Sequence, residues 1–219
     1  MTRAGEIAER LADVRGRIAS ASARAGRDPA GITLVAVSKT KPLSDLLAAY
    51  EAGVREFGEN RVQEAETKLP ALPPDAVPHL IGPLQSNKVK RAVAIARVVQ
   101  SVDSEDLARR LSRAAEQLGR SLEVFAEVNV AGEETKAGVL PERLPELLET
   151  LRGLPALSLG GLMAIPPPGE TRPHFVRLRE LAERHGVAGL SMGMSDDFEV
   201  AIEEGATVVR IGTALFGQR

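Results

Sequence analysis

The sequence predicts a closed parallel barrel of eight strands enclosed by helices, a single (β/α)8 TIM barrel of class α/β. Three observations carry this. Short β-branched runs alternate with longer stretches of helical period along the 219 residues, the rhythm of parallel strands joined by right-handed crossovers. The runs number eight, with a helical pattern after each of the first seven. Several helical patterns run into a glycine (Gly53, Gly119, Gly153, Gly186 and Gly205), the residue that most easily takes a left-handed cap. An open sheet of six to eight strands shares the alternation, and the short runs at 54–58 and 97–102 separate the two folds.

In chain order, an amphipathic helix over roughly 3–25 comes first, within an N-terminal segment 1–28 expected to pack on the barrel as an extra element. The strands follow as "ITLVAVSK" (32–39), "VREFG" (54–58), "PHLIG" (78–82) and "RVVQSV" (97–102). The second half adds "LEVFAEVNV" (122–130), "LSLGGLMAI" (157–165), "GLSMG" (189–193) and "TVVRIG" (207–212). Among the helices, "SEDLARRLSRAAEQLG" repeats Leu107, Leu111, Ala114 and Leu118 at helical spacing. The proline-rich "IPPPGETRP" (165–173) reads as a stiff strand-to-helix loop. The chain is shorter than the ~250 residues common for this barrel. Residues 1–219 therefore read as one domain, with no C-terminal β domain expected.

Composition narrows the function classes. A formal net charge of −2 gives no general attraction to nucleic acid or to a membrane surface. No segment approaches the ~20 apolar residues of a membrane span, and the charged N-terminus lacks the apolar core of a signal peptide. Without cysteine there is no disulfide, thiolate nucleophile or thiolate metal site. His79, His174 and His185 have no metal-ligand spacing. A soluble, cytoplasmic, metal-free monomer is expected.

A barrel of this class carries its site at the C-terminal ends of the strands. The first strand ends in "SKTKP", where Lys39 shares strand parity with Val35 and Val37 and Lys41 falls beyond, before Pro42. If one of the two lysines points into the barrel, it is Lys39. It is either a solvated strand cap or an amine nucleophile toward an aldehyde. In the last strand, Arg210 lies between Val209 and Ile211 and needs an acceptor, because an unpaired buried charge is costly. That acceptor is a barrel carboxylate or an atom of a ligand. Gly212 and Thr213 follow it directly.

The seventh strand ends in "SMGMSDD". Ser191 and Gly193 precede Ser195, read as the N-cap of a helix whose first turn holds Asp196 and Asp197, both pointing away from a bound anion. The loops after strands seven and eight are where this fold cradles phosphate. Other strand ends are polar: Asn60, His79, and a row of Phe125, Glu127 and Asn129 opposite Val124, Ala126 and Val128. Lys136, in "GEETKAG", reads as a solvated loop lysine, and Lys88, Lys90 and Arg91 as a solvated helix face. No P-loop or dinucleotide motif is present.

A lysine that traps an aldehyde, a phosphate cradle and an arginine opposite a ring acceptor are the parts of a pyridoxal 5′-phosphate (PLP) site. Lys39 would form the Schiff base, Ser191, Gly193, Gly212 and Thr213 would hold the phosphate, and Arg210 would meet the pyridine nitrogen. The segments "LVAVSKTKP", "FGENRVQE", "HLIGPLQSNKVK", "EVNVAGEETKAG", "GLMAIP" and "LSMGMSDDFEVAIEEGATVVRIGTALFG" resemble the YggS/PROSC family of pyridoxal phosphate homeostasis proteins over nearly the whole chain. The resemblance implies a PLP fold type III-like barrel, similar to the alanine racemase N-terminal domain, with the cofactor on Lys39. It implies cofactor contacts that include Asn60 and Met163 and a ring nitrogen facing Arg210. It associates Lys136 with passing the cofactor on, to apo PLP-dependent enzymes as partners. The family often places aromatics beside the histidine at 79, and here Pro78 and Leu80 stand there.

Two functions of different class fit. One is a non-catalytic carrier that stores, delivers or buffers PLP in vitamin B6 homeostasis. The other is an amino-acid racemase, which needs proton donors on both faces of the substrate. Alanine racemases take the second from a tyrosine of an added β domain, whereas the sole tyrosine here, Tyr50, lies in the first helical pattern after a strand. An arginine, with a pKa above ~12, also cannot protonate the ring nitrogen, which weakens the ring as an electron sink. Both points favour the carrier. A PLP-independent Schiff-base aldolase would not need the phosphate cradle and Arg210 together.

Overall fold

A computed structural model describes residues 2–133 and 136–218. Eight parallel strands close into a barrel in chain order, with β1 (Thr33–Val37) paired to both β2 (Glu56–Glu59) and β8 (Val208–Ile211). Between them run β3 (Val77–Leu80), β4 (Val98–Val102), β5 (Leu122–Glu127), β6 (Leu157–Met163) and β7 (Leu190–Ser191). The short runs at 54–58 and 97–102 form strands β2 and β4, which closes the barrel. Every residue of β4 is buried, as a strand covered on both faces requires.

Helix α1 (Arg3–Arg24) precedes the barrel, and a helix follows every strand. These are α2 (Leu43–Glu51), α3 (Val62–Lys68), α4 (Val89–Ile95), α5 (Glu105–Gln117), α6 (Leu144–Gly153), α7 (Arg172–Arg184), α8 (Phe198–Glu203) and α9 (Thr213–Phe216). The last two are only 6 and 4 residues long, too short to cover the outside of β8 and β1. Helix α1 supplies the cover. Its Ile7, Leu11, Val14, Ile18 and Ala21 are buried at helical spacing against α2, α8 and α9. Charge fixes its angle: Arg3 pairs with the buried Asp45 of α2 at 2.6 Å and donates to Phe216 O at 2.7 Å. Arg17 and Arg24 pair with Glu199 and Glu203 of α8.

Several expected boundaries shift, each for a local reason. Strand β5 stops at Glu127 rather than at 130, because the Asn129 side chain turns the chain: it accepts from Gly132 N at 3.0 Å and donates to Glu133 O at 2.8 Å. Strand β1 stops at Val37 because Lys41 N closes a turn onto Ser38 O at 3.0 Å. Gly53, Gly119, Gly186 and Gly205 follow their helices at positive φ, but Gly153 is the last residue of α6 and is not left-handed. Leu118 is the C-cap of α5 and is exposed, so it leaves the apolar stripe of that helix.

Strand alternation divides the core in two. Ala36, Phe57, Val99, Val124, Leu162 and Val209 face the helices in a large outer cluster, and Val35, Val98, Phe125, Met163 and Val208 fill the barrel interior. Toward the C-terminal ends of the strands the interior turns polar with His79, Gln100, Ser191, Glu127 and Arg210, all buried. The site is built on this polar level.

Candidate functional site

Above the polar level the barrel opens into a cavity of about 400 Å³ lined by Val37, Lys39, Asn60, Glu127, Arg210 and Thr213, among others. A pocket of this size suits a cofactor-sized ligand. A second concavity of about 420 Å³ lies at the opposite end of the barrel between α1 and the strand starts. It is lined by Arg15, Arg55 and Glu56 but holds no lysine. The chemistry therefore belongs to the first.

The two lysines of the opening turn have separate fates. Lys41 Nζ donates to the carbonyls of Gly217 and Gln218 at 3.1 and 3.2 Å, and so ties the chain's last turn to the β1 loop. Lys39, half-buried, lines the cavity. Among the described residues it is the one ammonium in the lining.

Arg210 is 3 % exposed, and the acceptors that satisfy it are neutral. Its Nη1 donates to Ser191 Oγ at 2.6 Å and its Nη2 to Ala164 O at 2.9 Å. A directional chain extends from there. Arginine only donates, so Ser191 accepts from it and sends its own proton to Gln100 Oε1 at 2.6 Å. Gln100 Nε2 then donates to His79 Nδ1 at 2.9 Å, leaving Nε2 to donate to Glu56 Oε2 at 2.7 Å. Four side chains from four other strands thus hold the guanidinium in one orientation at the cavity floor. Burial lowers the pKa of Arg210 to about 10, opposed by Glu127 and Asp197, so it stays charged at neutral pH. Burial likewise pushes the Glu127 carboxyl up to about 7, reinforced by Asp103 and opposed by Arg210. Near neutrality Glu127 can donate or accept a hydrogen bond at the cavity wall.

Of the four residues expected to cradle phosphate, two line the cavity and two do not. Gly212 and Thr213 line the cavity, as expected. Ser191 does not: it is fully buried and both of its hydrogen bonds are spent on Arg210 and Gln100. The hydroxyl that reaches the cavity is that of Ser195, and it is not an N-cap. Helix α8 starts at Phe198 after Asp197, and Ser195 Oγ instead accepts from Gly212 N at 3.3 Å and Ala214 N at 3.1 Å. This joins the two loops after β7 and β8 into one rim.

The aspartates also depart from expectation. Asp197 turns back to accept from Met194 N at 2.7 Å, which leaves Asp196 exposed on the cavity rim rather than directed away. Gly193 lies outside the lining and shapes the loop. Its φ is +91°, and a Cβ there would lie 2.5 Å from Ala201 Cβ and 2.9 Å from Phe198 Cα. Gly193→Ala should therefore displace α8 and cost roughly 3 kcal/mol from overpacking and a left-handed backbone. Thermal unfolding checks this, since a fall of only a degree or two in Tm would show that the loop can yield.

Met163 packs in the barrel interior beneath the cavity and does not line it. Lys136 is exposed on the loop after β5 and is absent from the lining as well; its neighbours Glu134 and Thr135, in the "GEETKAG" segment, lie outside the described residues. Arg91, from the expected solvated face, pairs with Glu66. Tyr50 donates to Asp75 on the outside of the barrel. Three buried polar groups around the site carry no signal in the sequence. Gln100, in a run that reads as buried strand, completes the Arg210 chain. Lys68, on α3, is a buried lysine directly under the Lys39 turn, and Glu59 is buried with it. Among the described residues no group of three histidines or carboxylates could hold a metal.

Residues 10–219 match the family described as alanine racemase, N-terminal domain. The chain is 50 % identical over 222 residues to the pyridoxal phosphate homeostasis protein of Pseudomonas aeruginosa, covering 97 % of this chain and 96 % of that one. It is similar to PipY of Synechococcus elongatus PCC7942, solved with PLP bound, at 42 % identity and a TM-score of 0.83, covering 96 % of this chain and all of that one. An alanine racemase from Clostridium difficile 630 shares the fold alone, with 15 % identity and a TM-score of 0.76 over 98 % of this chain and 57 % of that one.

Proposed function

Because the chain belongs to the family of the pyridoxal phosphate homeostasis proteins, built on the alanine racemase N-terminal domain, we propose that it holds PLP on Lys39 and stores, delivers or buffers it for vitamin B6 homeostasis. The observation that carries this is the pairing, in one cavity, of the Lys39 ammonium with a guanidinium fixed at the floor. The donor set fits the cofactor: an amine, a rim of hydroxyls and a buried arginine. When bound, PLP supplies an aldehyde with which an amine condenses, C=N replacing C=O as one water leaves.

The residues divide the work. Lys39 Nζ supplies the amine. Ser195, Gly212 and Thr213 hold the phosphate, the hydroxyls as donors and the glycine by letting backbone approach. Asn60 contributes a polar contact from the β2 side of the lining. Arg210 faces the ring nitrogen and, being charged, offers a hydrogen bond without giving up its proton. Ser191 acts through Arg210, Met163 supports the floor from below, and Gly193 shapes the rim. Lys136, exposed beside the mouth-forming loops, would assist release to an apo PLP-dependent enzyme. The reading takes residues 1–219 as one PLP-binding unit, monomeric and cytoplasmic. No described helix is long and apolar enough to cross a membrane.

One observation favours a second reading, an amino-acid racemase. Glu127 lines the cavity from β5, four strands from β1 and hence across the barrel from Lys39, and its pKa of about 7 suits proton transfer. The charged Arg210 weighs against it, because a ring whose nitrogen is not protonated stabilises a carbanion poorly. The test is borohydride reduction of the PLP-loaded protein followed by peptide mapping, with turnover measured on a panel of free amino acids. The carrier reading requires label on Lys39 and negligible turnover. Label on another lysine rejects the anchor, and rapid racemisation rejects the carrier.

A further inference from the structure

We propose that Lys68 is the positioning residue for Lys39: its buried ammonium clamps the backbone on both sides of Lys39 and fixes where the amine stands. The inference rests on the reading of Lys39 as the covalent anchor. Lys68 does not line the cavity and touches no ligand position. From the last turn of α3 its Nζ donates to Ser38 O at 2.8 Å and to Lys41 O at 3.3 Å, the carbonyls that bracket Lys39 and Thr40.

Two carboxylates complete the clamp. Lys68 Nζ lies 2.6 Å from Glu59 Oε1 on β2 and 2.7 Å from Glu64 Oε1 one helical turn earlier. Each carboxylate also grips the turn. Glu59 Oε1 accepts from Ser38 Oγ at 2.6 Å, and Glu64 Oε1 accepts from Thr40 N. Ser38, Thr40 and Lys41 are therefore all held by one Glu59–Lys68–Glu64 triad, while the Lys39 side chain between them is left to the cavity.

The turn requires such a hold. Thr40 has φ +65°, the one positive φ outside glycine among the described residues, and a β-branched residue persists there only when its surroundings over-determine it. The triad itself is a poor device for stability. Glu59 is fully buried, its Oε2 has no hydrogen-bond partner among the described residues, and burial raises its pKa despite Lys68 and Ser38. Buried ion pairs of this kind are often no more stable than apolar replacements. A costly charged cluster placed under a strained turn, next to the cavity-lining Lys39, points to positioning.

The test separates covalent capture from binding. Full-length Lys68→Met and wild type are each titrated with PLP and with pyridoxine 5′-phosphate, which keeps the ring and phosphate but has an alcohol in place of the aldehyde. Lys68→Met should weaken PLP binding by roughly tenfold or more, as misplacement of a reacting group does. It should also lower the borohydride-fixed fraction on Lys39 and leave the alcohol's affinity within about twofold. Equal losses for both ligands would make Lys68 merely structural, and no loss for either would remove it from the site; both outcomes overturn the proposal. Should Lys68→Met fail to fold, Glu64→Ala, at a partly exposed position, keeps the Lys68–Glu59 pair and both carbonyl contacts of Lys68 while removing the outer carboxylate and releasing Thr40 N. It should give a smaller loss of the same selectivity, and an unselective or absent loss again overturns the proposal. Labelling of another lysine in wild type would instead overturn the anchor itself, which distinguishes the two failures.

Discussion

Lys39→Ala is expected to abolish the covalent adduct: no lysine-linked absorbance after addition of PLP, and no pyridoxyl label after borohydride. Among the described residues no other lysine lines the cavity. Lys41 is committed to the carbonyls of Gly217 and Gln218, and Lys68 to Ser38 O and its two carboxylates. Residual binding through Ser195, Gly212, Thr213 and Arg210 should persist, weaker by roughly 100-fold, about 2.7 kcal/mol. Equilibrium dialysis of PLP against the variant measures this. Undiminished affinity, or full label on a neighbouring lysine, would place the anchor elsewhere.

Glu127→Gln is expected to stabilise the protein above neutral pH and to change little at pH 4.5. The carboxyl titrates at about 7 in the fold against an ordinary 4.5. Below 4.5 it is protonated whether the chain is folded or not. Between those values the folded chain keeps a proton that the unfolded chain has lost, so stability falls as pH rises, and above 7 the loss is complete. At about 1.4 kcal/mol for each unit of pKa, the difference reaches about 3 kcal/mol. Urea unfolding of both proteins at pH 4.5 and pH 8 isolates this group, because the burial of Glu59 acts equally on both. A difference that does not change between the two pH values would show that Glu127 is ionised in the fold near its ordinary range.

Much of the lining was legible because strand parity is local. Extending the parity of Val35 and Val37 beyond the strand's end points to Lys39, although the turn that follows Val37 is what sets its position, and the same period carries Phe125 to Glu127. The run of Val209, Arg210 and Ile211 announced a buried charge on its own terms. What was missed or misplaced depended on partners distant in the chain. The place of its loop predicts Ser191 as a phosphate ligand. Only the meeting of β4, β7 and β8 shows its hydroxyl spent between Gln100 and Arg210. Ser195 looked like a helix cap from its neighbours, yet its acceptor role is set by Gly212 and Ala214 across the loop. Lys68, three residues into an ordinary charged helix pattern from Ala65, gave no sign of burial.

The sequence by itself determined the barrel, the inward parity of its strands and the pair Lys39 and Arg210, since hydrophobic alternation and glycine stops act within a few residues. The tertiary structure alone decided which polar groups remain free for a ligand and which are consumed in holding others. That outcome depends on donors and acceptors brought together from separate strands, and a buried hydrogen-bonding group is defined by its partner rather than by its place in the chain.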